Sequence, residues 1–306
     1  MMHRPLVSVV MPTYNRRALL EAAIDSVLAQ TLDDFELLIV DDASTDGTAE
    51  LLATRARADG RIRVMRAEVN GGCDAARNRA MDQARGRYLA FLDDDDLFLP
   101  ERLERTVARL EAAPELGVAF CRHGFIDAQG QALPWTPEFL PVGESATPGA
   151  RLFEMLYCDW AWIPTCTLTV RVEQLAGLAF RELRRRDNDA IFNAQLAASG
   201  ASFAQVGHTL ALVRRDPSVA SMSRNHQALL ADRRASLLYL RSWLGEQRIT
   251  EFDHLHARAW SNQLIKEAEF LGGLRGLGRV IRATAHWPGN PRAPRYVWRR
   301  LVARRR

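Results

Sequence analysis

Four consecutive carboxylates, Asp93, Asp94, Asp95 and Asp96, follow an apolar, partly aromatic run from Tyr88 to Leu92. That run has the length and composition of a buried strand. Asp is a poor strand former, so the acidic residues mark the strand's end. Four like charges side by side repel one another and call for a counter-charge. In open α/β sheets ligands gather outside the carboxyl ends of the strands. Hard carboxylate oxygens in that position suit Mg²⁺ or Mn²⁺, either of which can bridge to a substrate diphosphate. The plainer account is an acidic turn ahead of a helix starting near Pro100, where Pro and acidic residues are both ordinary. Two aspartates would fit that account; four after a buried strand point to a metal. An EF-hand fits poorly, because Asp93, Asp95 and Glu104 take the right positions but Phe98 stands where the loop's sharp turn needs Gly.

The elements that must position these residues alternate in type. Leu6 to Met11 reads as a buried strand, followed by the turn Pro12-Thr13-Tyr14-Asn15 and a helix with Leu20, Ile24, Val27 and Leu28 on one face. Phe35 to Val40 is a second strand, ending in Asp41-Asp42. Turn and N-cap residues from Ala43 to Thr48 then open a helix that runs to about Arg57. Ile62 to Arg66 is a third strand, and Asn70-Gly71-Gly72 a turn that opens a helix carrying Arg77. Strand and helix alternating in this way predict a mainly parallel sheet covered on both faces, with polar strand ends collected on one edge. Pro100 to Ala112 reads as a helix and Val118 to Arg122 as a strand. The proline-rich stretch from Asp127 to Pro148 reads as a long loop. Further on, Thr165 to Val172 is an expected strand, Asp187 to Ser199 a helix, and Phe203 to Val206 and Leu210 to Val213 two short strands.

Beyond Asn225 the pattern is helical. Leu237, Leu240, Trp243 and Leu244 share one stripe, and Trp260, Leu264 and Leu271 lie on a second segment. In the last segment Leu271, Leu274, Leu277 and Ile281 fall on one side, with Arg275, Arg279 and Arg282 on another. Residues 270–306 hold ten Arg and no acidic residue, which leaves residues 1–269 with 31 basic against 37 acidic side chains. A basic amphipathic segment of this kind suits an anionic membrane surface, although four glycines between 272 and 278 weaken a helix there. No nucleic-acid recognition motif accompanies the arginines, so nucleic acid is not expected as a partner.

With 47% apolar and 25% charged residues, the 306-residue chain has a globular composition and is long enough for a sizeable core. Cys73, Cys121, Cys158 and Cys166 show no C-x-x-C spacing, so reduced thiols and a cytoplasmic protein are expected. No apolar run approaches a membrane span, and Leu6 to Met11 is too short for a signal-peptide core. A peripheral position on the cytoplasmic membrane face remains open to the basic segment.

Four motifs now stand in order: V-S-V-V-M-P-T-Y-N-R, L-L-I-V-D-D-A-S-T-D-G-T, N-G-G-x-x-x-A-R-N-R-A and Y-L-A-F-L-D-D-D-D-L-F-L-P-E-R-L. Together they resemble the family 2 glycosyltransferases, from Val7 to about Leu110 closely and to about Asn225 more weakly. The resemblance implies a GT-A, Rossmann-like fold, with a mixed and mainly parallel sheet between helices. Residues 1–225 would form that domain, 1–115 the nucleotide-sugar half and 116–225 the acceptor half, with 226–306 a helical, Arg-rich extension. The implied activity is metal-dependent, inverting transfer of a sugar from a nucleotide-diphosphate donor to a hydroxyl acceptor. A UDP-sugar is the expected donor, with dTDP-sugar next, and a glycan or lipid-linked acceptor belongs to cell-surface polysaccharide or glycolipid synthesis. Mn²⁺ or Mg²⁺ is the implied cofactor.

By the same resemblance Pro12, Thr13 and Tyr14 line the nucleobase pocket, Asp42 accepts from a uracil-type imide, and Arg77 holds the base or diphosphate. Asp93-Asp94-Asp95 matches the D-x-D pattern. Asp95 is then the direct metal ligand, Asp93 completes the pattern and orients the strand end, and Asp94 contacts ribose or metal-bound water. Asp96 shapes the loop. Asp187 matches the family's catalytic base, with Asp189 as the alternative. Two departures stand out: Arg186 replaces the usual Glu before Asp187, and Asp216 stands where many relatives carry His. They leave a catalytically silent, nucleotide-sugar-binding paralogue as the competing reading. A sugar-phosphate nucleotidyltransferase would need a glycine-rich basic loop after the first strand, where this chain has Pro12-Thr13-Tyr14-Asn15.

Overall fold

The computed structural model describes residues 4–134, 142–159, 163–181, 188–215, 226–271 and 273–294. The chain opens with β1 (Val7–Thr13), α1 (Arg17–Leu28), β2 (Phe35–Asp41), α2 (Thr48–Ala58), β3 (Ile62–Arg66), α3 (Cys73–Asp82) and β4 (Tyr88–Phe91). Each helix carries the chain back across the sheet, so β1 pairs in parallel with β2 and β4, and β2 with β3. β1 is buried along its whole length, which is why it reads as a continuous apolar run rather than an alternating one. Val7, Val9 and Met11 face one layer with Leu20, Ile24 and Leu103; Val10 faces the other with Phe91 and Phe153.

The second half adds β5 (Leu97–Phe98), α4 (Arg102–Glu111), β6 (Val118–Ile126), α5 (Gly149–Cys158), β7 (Leu168–Arg171), α6 (Asn188–Ala198) and β8 (Phe203–Arg214). The strand order is β3-β2-β1-β4-β7-β6-β8-β5. β7 is antiparallel to both β4 and β6, β8 is parallel to β6, and β5 is antiparallel to β8. The sheet is therefore mixed, as expected, and its parallel left half ends where β4 meets β7.

Several elements differ from the sequence pattern. The two short strands expected before Arg214 form one strand, β8. It absorbs Gly207, His208 and Leu210 through register shifts on either side of Arg122, which pairs with Thr209. β7 begins three residues late, because Thr165–Thr167 forms a 3₁₀ turn after Pro164, whose carbonyl accepts from the Thr167 hydroxyl at 2.7 Å. β6 runs four residues past its expected end. α5 had no counterpart in the sequence pattern. Its first residue, Gly149, is forced by packing, since a Cβ there would lie 2.3 Å from the Ala197 carbonyl oxygen.

The C-terminal region is helical, with α7 (His226–Glu246), α8 (Leu255–Leu271) and α9 (Gly273–His286). Leu237, Leu240, Trp243 and Leu244 join the core layer that contains Phe153, Tyr157 and Ile191, and the Phe153 and Phe252 rings stack at 4.3 Å. Each such buried side chain contributes roughly 1.5–3 kcal/mol. The helical region is thereby fastened to the sheet through α5. α9 packs against α8 through Val280 and Ala283, beside Leu264, Ile265 and Ala268. Ile281, placed by the sequence pattern on the apolar stripe, is instead 62% exposed, because the helix turns Val280 and Ala283 inward.

Candidate functional site

The carboxyl ends of β1, β2 and β4 lie side by side, and the turns that leave them interlock. Asn15 accepts from the Thr45 amide at 2.7 Å and donates its own amide to the Ser44 hydroxyl at 2.9 Å. Asn15 has φ +51° and Ala43 φ +66°. Asn visits this region readily, but an alanine there stores strain of roughly 1–3 kcal/mol, a feature that clusters at ligand sites. Pro12 and Thr13 close β1 in a buried setting, while Tyr14 is exposed and offers a free aromatic face.

Asp41 and Asp42 both point inward. One Asp41 oxygen accepts from the Ser44 amide at 2.9 Å; the other lies 3.7 Å from Arg66 Nε without a hydrogen bond. The two Asp42 oxygens accept from the Gly71 and Gly72 amides at 2.9 and 2.7 Å. Asp42 thus clamps the glycine turn that starts α3, where Gly72 takes φ +95°, a value glycine alone adopts at little cost. The donor-side residues of the sequence reading are brought together here, at one edge.

Beside them sits the acidic tip after β4. Arg77, on α3, is buried and touches three carboxylates: Asp93 at 2.5 Å, Asp189 at 3.3 Å and Asp74 at 3.4 Å. Its guanidinium also lies over the Phe180 ring at 5.0 Å. Asp189 belongs to α6, so one side chain ties the tip after β4 to that helix. Asp187 lies outside the described residues, as do Arg186 and Asp216. Asn188, the residue after Asp187, donates from its amide to Asp74.

Arg16, at the mouth of α1, pairs with Asp95 and lies 3.8 Å from Asp94. Arg214, at the end of β8, donates from its backbone to Asp96 and from its side chain to the carbonyls of Asp95, Asp127 and Ala128. Asp96 is thereby tied into the loop rather than open to a ligand. The sequence reading missed Arg16, Asp74, Asn188 and Arg214. Arg16 did leave a signal, since a cation at a helix N-terminus opposes the helix dipole. Asp74 was masked by the opposite logic, an acid in a first turn being unremarkable.

The electrostatics are those of a site with too much negative charge. Burial, with the neighbouring Asp95 charge, pushes the Asp94 carboxyl up to about 7 against the pull of Arg16. Burial also raises Asp95, opposed by Arg16, and Asp189, opposed by Arg77. Burial pushes Asp74 up to about 6, against the pull of Arg77 and the Asn188 amide. A carboxyl that holds its proton more tightly when folded contributes stability below its unfolded value near 3.8 and loses it as pH rises to about 6. For Asp74 this is worth on the order of 3 kcal/mol. The thermal midpoint of the ligand-free protein is expected to fall from pH 4 to pH 7, with Asp94 acting in the same sense. Calorimetry across that range should show Asp74→Asn flattening the slope; an unchanged slope refutes the assignment.

Among the described residues no group of three His, Cys, Asp or Glu side chains forms a metal cage. The donor set nonetheless fits a hard cation held by one or two carboxylates and a substrate's phosphates. The Asp93 and Asp95 side chains are 35% and 28% exposed at the tip, and Asp94 behind them has only the more distant Arg16 pairing, at 3.8 Å, among the described residues.

Comparison with known proteins places this geometry. The model of "Glycosyl transferase family 2" matches residues 8–153. The putative teichuronic acid biosynthesis glycosyltransferase TuaG of Bacillus subtilis is 44% identical over 185 residues, 60% of this chain and 69% of its own. The fold is similar to that of S. aureus TarS 1-349 in complex with UDP-GlcNAc, with a TM-score of 0.59 and 18% identity over 85% of this chain and 81% of that one. It is also similar to the mannosyltransferase PcManGT of Pyrobaculum calidifontis in complex with GDP-Man and Mn²⁺, with a TM-score of 0.57 and 18% identity over 95% and 82%. A GT-A sheet, its acidic tip beside the clamped glycine turn, and 44% identity across more than two thirds of a glycosyltransferase's length have one reading: the chain belongs to the family 2 glycosyltransferases, and it is an enzyme.

Proposed function

We propose that the enzyme transfers a sugar from a UDP-sugar to a hydroxyl of a growing surface polysaccharide or lipid-linked glycan, with inversion and with a divalent cation at the acidic tip. The observation that carries this is the bridge made by Arg77, which brings Asp93 of the tip and Asp189 of α6 to one guanidinium. Donor chemistry and base chemistry are then adjacent. Tyr14 stacks on the nucleobase, and the buried Asp41–Asp42 pair, with one oxygen unbonded, meets its imide edge. Asp95 and Asp93 hold Mn²⁺ or Mg²⁺, which when bound supplies charge neutralisation for the departing diphosphate. Asp187, or Asp189 one residue beyond Asn188, takes the acceptor hydroxyl's proton.

The names of the relatives support the pathway class: one is named as a putative teichuronic acid biosynthesis glycosyltransferase, and the TarS structure holds UDP-GlcNAc. The test is a thermal-shift screen of UDP, dTDP and GDP, each with Mn²⁺. UDP is expected to raise the midpoint by several degrees, as mass action requires of a saturating ligand. A response to GDP alone would overturn the donor assignment.

The acceptor side also suggests where the enzyme works. No helix among the described residues is long and apolar enough to cross a membrane. α9 instead presents Ile281 and Arg282 outward, while Arg279 is taken by Glu267 at 3.2 Å. This face is the surface for anionic lipid on the cytoplasmic side. Ile281→Glu with Arg282→Glu leaves Val280 and Ala283 in place. The double variant is expected to lose most co-sedimentation with phosphatidylglycerol vesicles; retained co-sedimentation would remove the membrane from the account.

A further inference from the structure

Arg16 stands where helix electrostatics least favours a cation. It immediately precedes α1, at the positive end of the helix, and its side chain caps nothing. Its guanidinium instead reaches across to the acidic tip, donating to Asp95 and lying 3.8 Å from Asp94. The two guanidinium groups paired with the tip's carboxylates among the described residues differ in freedom. Arg77 is closed in, its side chain 5% exposed, whereas that of Arg16 is 38% exposed and has solvent to move into.

We propose that Arg16 is the resident counter-ion of the acidic tip, neutralising Asp94 and Asp95 until a divalent cation arrives and competing with it for the same oxygens. The proposal rests on the metal-dependent reading above. A divalent ion and the guanidinium draw on the same Asp95 and Asp94 oxygens and repel each other, so seating the ion favours the guanidinium swinging outward. The tip is then never left as bare adjacent charges, and the ion is taken up weakly unless a diphosphate arrives with it. A bracing role for Arg16 makes the opposite forecast: its removal would loosen the tip and leave cation affinity equal or lower.

The test is Mn²⁺ binding to the full-length protein without nucleotide or acceptor, read as loss of the free-ion electron paramagnetic resonance signal. Arg16→Gln is expected to bind Mn²⁺ roughly tenfold more tightly than the unaltered enzyme, because an attractive charge no longer has to be displaced. Arg16→Lys, which keeps the charge, is expected to stay near the unaltered value. Asp95→Asn is expected to lose the site. An Arg16→Gln variant that binds no more tightly overturns the counter-ion role while leaving the metal site standing. If Asp95→Asn binds as well as the unaltered enzyme, or if no variant binds up to millimolar Mn²⁺, the metal reading falls and the counter-ion falls with it.

Discussion

Asp95→Asn is expected to lower sugar transfer by about 10³-fold, the scale on which removal of one preorganised electrostatic contact at the reacting centre is felt. The substitution keeps size and shape and removes only a charge and a metal-binding oxygen. Its effect on folding should be opposite in sign to its effect on catalysis. Burial makes the Asp95 charge costly and the contact with Arg16 offsets it only in part, so neutralising it leaves the ligand-free protein as stable as before or more so. Loss of turnover with an unchanged or raised thermal midpoint, and loss of the Mn²⁺-dependent response to UDP, is the combined signature. Asp96→Asn is the internal control. Asp96 is also buried and beside the tip, but its oxygen accepts from the Arg214 backbone, a role an amide oxygen keeps. It should retain most activity. Should Asp95→Asn turn over at the normal rate while Asp96→Asn does not, the metal seat has been placed one residue too early.

The fold's first half was legible because its signals are local. β1, β2 and β4 are short, mainly apolar runs that stop at polar residues, and β1 is buried on both faces, so no alternation was needed to find it; β3 is a shorter mixed strand. The second half depends on partners distant in sequence. β5 is two residues long and exists because Leu97 and Phe98 meet Leu212 and Ala211. α5 is held by Phe252 and the α6 backbone, neither of which its own sequence announces. α9 formed despite its glycines because Val280 and Ala283 found α8. Within the site the acidic tip, Asp42 and the glycine turn could be read from type and spacing. What holds them could not. Arg102 illustrates why: buried, with its guanidinium on Thr169 and the Cys166 and Leu168 carbonyls, it braces the turn before β7. In the sequence it is one arginine among many.

Arg77 shows how the same limit bears on mechanism. By resemblance it grips a donor, but in the structure its Nη atoms are taken by Asp74, Asp93 and Asp189. That commitment separates the two candidate bases. Asp189 is held by Arg77 and stands beside Thr165, so its carboxylate is already fixed in an orienting role. Asp187, the base that the resemblance implies, is two residues away in sequence, across Asn188, which Asp74 holds. Asp187→Asn is therefore expected to lower kcat by about 10²–10⁴-fold, the range for losing a general base, with the donor KM little changed. Asp189→Asn keeps the shape but loses the ion pair, and should cost about tenfold, through a misplaced helix rather than a missing proton acceptor. The rate dependence on pH distinguishes the two. The low-pH limb of kcat should vanish in Asp187→Asn and persist in Asp189→Asn. If the limb vanishes only in Asp189→Asn, then Asp189 takes the proton, with Arg77 setting the pKa at which it does so.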